Sequence, residues 1–172
     1  MGLLSKIDNL EDLFINELSD QYHSEKQLAK ALVKMAEHAT NPQLKAAFTA
    51  HQKETETHVA RIEKVFELCN TKAKSNSCEA TEGLIKEASE AMSDVKQGPL
   101  LDVALILAAQ KVEHYEIAGY GGLCELAKQL GFAEAKKILG QTLDEEKASD
   151  QKLTTIAEGS VNKEGVTFSK AA

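Results

Sequence analysis

Four long stretches of the chain carry apolar residues at three- and four-residue steps, and each of these stripes is broken near its middle by carboxylates or imidazoles. The first stretch reads Phe14, Leu18, Gln21, Glu25, Leu28, Leu32, Met35, and the second Ala47, His51, Glu54, His58, Ile62, Val65. The third reads Ile106, Ala109, Glu113, Glu116, Tyr120, Leu123, Ala127, Leu130. The fourth reads Leu139, Thr142, Glu146, then Ser149 or Asp150, Leu153, Ala157. A repeat of about 3.6 residues lays such positions along one side of an α-helix. The chain is therefore expected to fold as long amphipathic helices whose buried sides contain charge.

The punctuation between the stripes sets their limits. In DNLE, Asp8 with Glu11 three residues on predicts a cap, and ATNPQL ends the helix, which gives a first helix over about 8–38. Asn41 caps a second helix over about 42–69, with Pro42 at its first position, where proline is favoured. The polar run NTKAKSNS reads as a loop, followed by a short helix over about 81–95 and the QGP break. Pro99 opens a third long helix, about 99–130, that should stop at Gly131, and a fourth covers about 132–158. Residues 159–172 show no clear period and are expected to be a polar surface tail behind a single domain over 1–158. Short first and last connections make two antiparallel hairpins, and the long middle one crosses the bundle. The expected fold is all-α, an antiparallel four-helix bundle with one long crossover carrying a short extra helix.

Composition narrows the partners. With only two prolines in 172 residues, long uninterrupted helices are unopposed. A net charge of −7 argues against nucleic acid, which requires a basic face. No apolar run approaches the roughly 18 residues of a membrane span; the best, LLDVALILAA, contains Asp102. The start MGLLSKIDNLEDL lacks the pattern of a signal peptide. Three cysteines without CxxC spacing suggest reduced thiols in a cytoplasmic protein, although Cys69 and Cys78 flank one loop and could pair under oxidation.

In an antiparallel bundle the midpoints of similar helices lie at similar height. Glu25, the set His51, Glu54 and His58, the pair Glu113 and Glu116, and Glu146 should therefore converge on one buried level. Carboxylates gathered in an apolar core cannot stay ionised unaided, because desolvation and repulsion both raise their pKa values. The only arginine is Arg61, and no lysine occupies the centre of a stripe. Two divalent cations would balance four inward glutamates, with a fifth carboxylate and one or two imidazoles completing the set. Oxygen with some nitrogen suits iron or manganese.

A single inward Glu is more often hydrogen-bonded than a ligand, but coincidence in four helices at one height is harder to obtain. His51 leads into Glu54 at i+3 and is the better ligand candidate. His58 is either an outer hydrogen-bonding partner or a satisfied core histidine. Glu56 and Glu145 are expected to face water, with the proviso that a phase error would exchange Glu145 with Glu146. Asp150, one turn after Glu146, is either a ligand or an outer hydrogen-bond acceptor. Tyr22 and Tyr120 have the same two readings, ligand partner or core aromatic. His23, His38 and His114 are expected to be exposed.

At EDLFINELSDQYHSEKQLAKAL, HQKETETH, CEATEGLIKEA, AAQKVEHYEIAGYGGL and LDEEKASDQKL the sequence resembles the YciF-like family of bacterial stress proteins, within the ferritin-like superfamily. The resemblance spans nearly the whole chain. It implies a ferritin-like, rubrerythrin-like four-helix bundle with a di-iron site. Carried over by position, the metal ligands are Glu25, His51, Glu54, Glu113, Glu116 and Glu146. The chain departs from the usual ferritin-like pattern, which has ExxH on the second and fourth helices; here HxxE and ExxxD stand instead. The sequence has no CxxC pair of the kind that marks a rubrerythrin's electron-entry module.

Three functions compete. The first is a di-metal oxidoreductase, with two iron ions (manganese as the alternative) acting on dioxygen or peroxide. Glu25, Glu54, Glu113 and Glu146 would hold the pair, with Glu116 as a mobile extra ligand. The second is iron binding or sequestration without turnover. The third is a structural or partner-binding bundle whose polar core only specifies packing. A homodimer is the default expectation for such a bundle.

Overall fold

A computed structural model describes residues 7–171 of the chain, with side chains described to residue 168. Helix α1 spans Leu10–His38 and α2 Pro42–Leu68; α3 spans Glu79–Asp94, α4 Pro99–Gln129 and α5 Ala133–Ile156. A π-helical turn over Ala157–Val161 leads into α6, Asn162–Ala171. The fold is an all-α four-helix bundle, α1, α2, α4 and α5, with α3 carried on the crossover. Helix α1 packs along α2 and α4 along α5; contacts of α2 with α5 and of α1 with α4 close the ring.

The helix ends follow local chemistry. Asn9, rather than Asp8, caps α1: its side chain accepts from the Asp12 backbone N–H at 2.8 Å. Asn41 accepts from the N–H groups of Gln43 and Leu44 ahead of α2. After α4, Gly131 takes φ +75°, which L-residues with a Cβ rarely adopt, and the Phe132 N–H returns to the Ala127 carbonyl at 2.8 Å. Asp102, buried in α4, accepts from the backbone N–H groups of Thr40 and Asn41 at 2.7 and 2.9 Å. The acid in the most apolar run thus fastens the α1–α2 turn.

The segment expected as a polar tail, 159–172, is instead helical through residue 171, with residue 172 outside the described residues. Val161 is fully buried, and Gly165 lies so close to α4 that a Cβ there would stand 2.9 Å from Val103 Cγ2. Phe168 reaches back to Gly98, with Lys96 Nζ 5.0 Å from its ring centroid. The helical spacing of Val161, Gly165 and Phe168 is present in the sequence. Its middle member has no side chain, so it left no apolar signal.

The core divides into two apolar clusters. One gathers Leu32, Met35, Leu44, Phe48, Leu105, Ile106 and Leu153 near the α1–α2 turn. The other gathers Phe14, Leu18, Ile62, Phe66, Leu123 and Leu139 at the opposite end. Between them lies a polar level that all four long helices share. Among the described residues, no helix is long and apolar enough to cross a membrane.

Candidate metal centre

Each long helix sends charge into that level. Helix α1 contributes Glu25, α2 His51 and His58, α4 Glu113 and Glu116, and α5 Glu146; all six are buried. Their ligand atoms form two groups whose members lie within 4.8 Å of one another: His51, Glu113, Glu116 and Glu146, and then Glu25, His58 and Glu146. Glu146 belongs to both. Its Oε2 lies 3.4 Å from His51 Nε2, and its Oε1 lies 2.9 Å from His58 Nδ1. His51 Nε2 is also 3.3 Å from Glu113 Oε1, and His58 Nδ1 is 3.5 Å from Glu25 Oε1.

Several of these atoms are close to opposite charge yet not aligned for a hydrogen bond. Glu25 Oε2, Glu113 Oε2, both Glu146 oxygens and His58 Nδ1 are buried without a hydrogen-bond partner. Buried polar groups are nearly always paired in folded proteins. A cluster of orphans that are also metal-ligand types fits a cation: carboxylate oxygen and imidazole nitrogen are what iron and manganese take.

The outer nitrogen of each histidine is held by a further glutamate. His51 Nδ1 lies 3.2 Å from Glu54 Oε2. His58 Nε2 lies 2.8 Å from Glu145 Oε2, and Glu145 is gripped by Arg61 Nη1 and Nη2 at 2.6 and 2.9 Å. Such outer carboxylates orient an imidazole and raise its basicity. Tyr120 donates to Glu25, and Gln21 Nε2 lies 3.4 Å from Glu116 Oε1.

In the absence of a metal, protons would offset the charge gathered in this core. Burial disfavours an imidazolium at His51, but Glu113 and Glu54 outweigh it and push the group up to about 11. Burial likewise opposes His58, which Glu146 and Glu25 push up to about 10. Burial raises Glu25 and Glu146 against the pull of the histidines. It raises Glu116 furthest, with Glu146, Glu25 and Glu113 adding repulsion. Tyr120 is raised by burial and by the Glu25 charge. The outer acids move the other way: the His51 hydrogen bond lowers Glu54, and the Arg61 hydrogen bond lowers Glu145.

Of the six residues expected as ligands, Glu25, His51, Glu113, Glu116 and Glu146 come together. Glu54 does not: its side chain is 51% exposed and touches the centre only through His51. His58, expected to lie in an outer position or merely to fill the core, stands in the second ligand group instead. The reason is helical geometry. Seven residues make nearly two whole turns, so His51 and His58 share one direction, whereas a three-residue step turns Glu54 about 60° away. Glu145, expected to face water, is half-buried in its pairing with Arg61 and His58. Asp150 is outside both groups; it accepts from Gln110 at 3.1 Å and lies 3.5 Å from His114. His23, expected to be exposed, is 16% exposed and bonds Ser75.

A cleft of about 260 Å³ between α2 and α5 opens onto the centre. Ala47, Glu54, Glu145, Ser149 and Lys152 line it, and His51 and Glu113 form its floor. Ala47, Ala148 and Ser149 are small residues of this seam, and the centre is reachable from that side.

Comparison with known proteins gives consistent matches along the chain. The family model described as "Domain of unknown function (DUF892)" matches residues 9–165. Protein YciF of Escherichia coli (strain K12) is 52% identical over 155 residues, covering 90% of this chain and 93% of that protein. The crystal structure of the E. coli stress protein YciF superposes with a TM-score of 0.87 at 51% identity, over 91% of this chain and 99% of that one. YcfI from Rhodopseudomonas palustris, described as a candidate structural protein, matches with a TM-score of 0.86 at 41% identity, over 89% of this chain and 98% of its own. A protein from Xanthomonas campestris, 20% identical with a TM-score of 0.74 over 94% of this chain and 99% of that one, shares the fold.

Proposed function

The chain belongs to the DUF892 family, and from the ligand set at the centre of its bundle we propose that it is a stress-response protein that binds two metal ions, iron in preference to manganese. The observation that carries this reading is the divided use of Glu146, whose two oxygens face two different histidines. Two ligand groups that meet at one carboxylate are what a dinuclear centre requires. Glu25 and His58 would hold one ion, His51, Glu113 and Glu116 the other, and Glu146 would serve both. The stress role rests on similarity to a relative described as a stress protein.

When bound, such a pair supplies two adjacent one-electron centres for the reduction of dioxygen or peroxide. The chain's own residues do the rest. Glu54 and Glu145 hold the histidines with one nitrogen inward, and Tyr120 fixes one oxygen of Glu25. The apolar clusters above and below keep bulk water out, and the α2–α5 cleft gives polar species access. Glu54 and Glu145 make that cleft acidic, which favours the approach of cations.

A structural reading has one observation in its favour. The neighbouring glutamates push His51 and His58 toward the imidazolium form, which offsets part of the buried acid charge without metal. Elemental analysis after anaerobic loading with Fe(II) separates the two. About two ions per chain, retained through gel filtration, supports the dinuclear reading. No retained metal leaves the structural one. Peroxide consumption by the loaded protein then distinguishes turnover from sequestration.

A further inference from the structure

The centre is approached from two sides, and the two approaches differ in chemistry. Opposite the acidic cleft, between α1 and α4, lies a cavity of about 20 Å³. Its walls are Leu28, Ala31, Leu32, Met35, Ala109 and Val112, and it ends on His51, Glu113 and Glu116. Ala31 and Met35 also line a hollow of about 150 Å³ beneath α3, where Ile85, Ala88 and Met92 lie across from α1 and the polar Gln27, Lys30, Lys34 and Ser89 complete the lining. The inner cavity, in contrast to this mixed outer hollow, is apolar up to the two glutamates and the histidine at its end.

Size and lining together select the occupant. About 10–15 Å³ admits one water-sized molecule, so this cavity holds a single molecule of a few light atoms. A water there would need about two to four polar partners, and polar groups stand only at one end. A cation would have to shed its hydration among aliphatic groups, at high cost. An apolar diatomic gives up no hydrogen bonds and gains by leaving water. We infer that this cavity is a binding site for dioxygen, an apolar gas of fitting size, against Glu113 and Glu116, while cations and peroxide use the acidic cleft. The functional purpose of the site rests on the dinuclear reading, but the cavity exists in the metal-free protein and is testable there.

The test uses metal-free protein with methyl groups isotopically labelled, under dissolved oxygen at raised pressure. Paramagnetic oxygen speeds the relaxation of methyls that it sits beside. The methyls of Leu28, Leu32, Met35 and Ala109 should relax several-fold faster than those of Leu18, Val65 and Leu139, which are as deeply buried at the other end of the bundle. Ala109→Val, which fills the cavity, should remove that excess, and Val112→Ala, which enlarges it, should increase it. Uniform enhancement over all buried methyls overturns the proposal, as does an excess that Ala109→Val leaves unchanged. If Ala109→Val does not fold, Val112→Ala decides, and an unchanged excess in it counts against the site. Fe(II) titration of the same wild-type sample tests the dinuclear reading separately. Failure to bind iron with the oxygen effect intact removes that reading and leaves the cavity standing.

Discussion

Glu145 Oε2 accepts from His58 Nε2 at 2.8 Å, and this contact turns the other nitrogen of the ring toward the buried Glu146. Arg61 holds Glu145 with both terminal nitrogens, so a short chain of side chains running in from the surface decides which imidazole atom faces the centre. Neighbouring acids of α5 therefore have opposite placements. Glu146 lies within both ligand groups, and Glu145 steadies one of them from outside.

That arrangement predicts the effect of Glu145→Gln. The amide keeps the shape but loses the charge that favours the Nε2 proton. Metal affinity should fall by about 10–100-fold, the usual cost of losing such an outer partner. Because Glu145 is 36% exposed, the fold should change by no more than about 1 kcal/mol. Anaerobic titration calorimetry and thermal melting, run together, read both quantities. Unaltered affinity would show that His58 needs no such support.

The shared carboxylate separates two kinds of ligand loss. Glu146→Ala should abolish binding at both groups, whereas His58→Ala should leave the group of His51, Glu113 and Glu116 able to bind one ion. Metal-to-protein ratios of the purified variants check this. Equal losses in the two variants would mean that the groups do not act separately.

Stability of the metal-free protein should divide the same glutamates differently. Burial, with repulsion from Glu146, Glu25 and Glu113, disfavours a charge on Glu116, so Glu116→Gln should cost little. Glu146 faces two protonated histidines, and deleting it strands buried charge, at a cost of about 3–5 kcal/mol. Urea unfolding in the presence of chelator compares the two variants.

The pH dependence has a definite sign. In the folded protein without metal, the surrounding glutamates push His51 up to about 11 and His58 up to about 10, above the ordinary imidazole value of 6.5. The folded chain therefore holds more protons than the unfolded one across that interval. The stability these groups contribute is complete below about pH 6.5 and is lost as pH rises toward 10 and 11. The raised Glu25, Glu116 and Glu146 act in the same direction from lower pH. Chelator-treated protein should have a lower urea midpoint at about pH 9 than at about pH 6. Metal binding should strengthen over the same interval, because the ion displaces those protons.

Much of this was legible in the sequence because an antiparallel bundle converts position along a helix into height. Stripe breaks at Glu25, His51, Glu113 and Glu146 were enough to bring four helices to one level. What the stripes did not resolve was rotation within a helix. Glu54 and His58 both belong to the α2 stripe, but only the seven-residue step returns to the direction of His51. The contribution of Glu145 was hidden as well, because it depends on a contact between α5 and Arg61 of α2. Helix α6 was missed at Gly165, where close packing against Val103 requires the absence of a side chain. Gly165→Val should therefore lower stability by about 1–3 kcal/mol through overpacking, although the substitution raises local hydrophobicity.

The most direct test is anomalous diffraction at the iron absorption edge on crystals soaked anaerobically with Fe(II). Two peaks should appear within the bundle, one between Glu25, His58 and Glu146 and the other between His51, Glu113, Glu116 and Glu146. No peak within the bundle, or iron only at surface acids, would contradict a dinuclear centre and leave the polar level as a packing device.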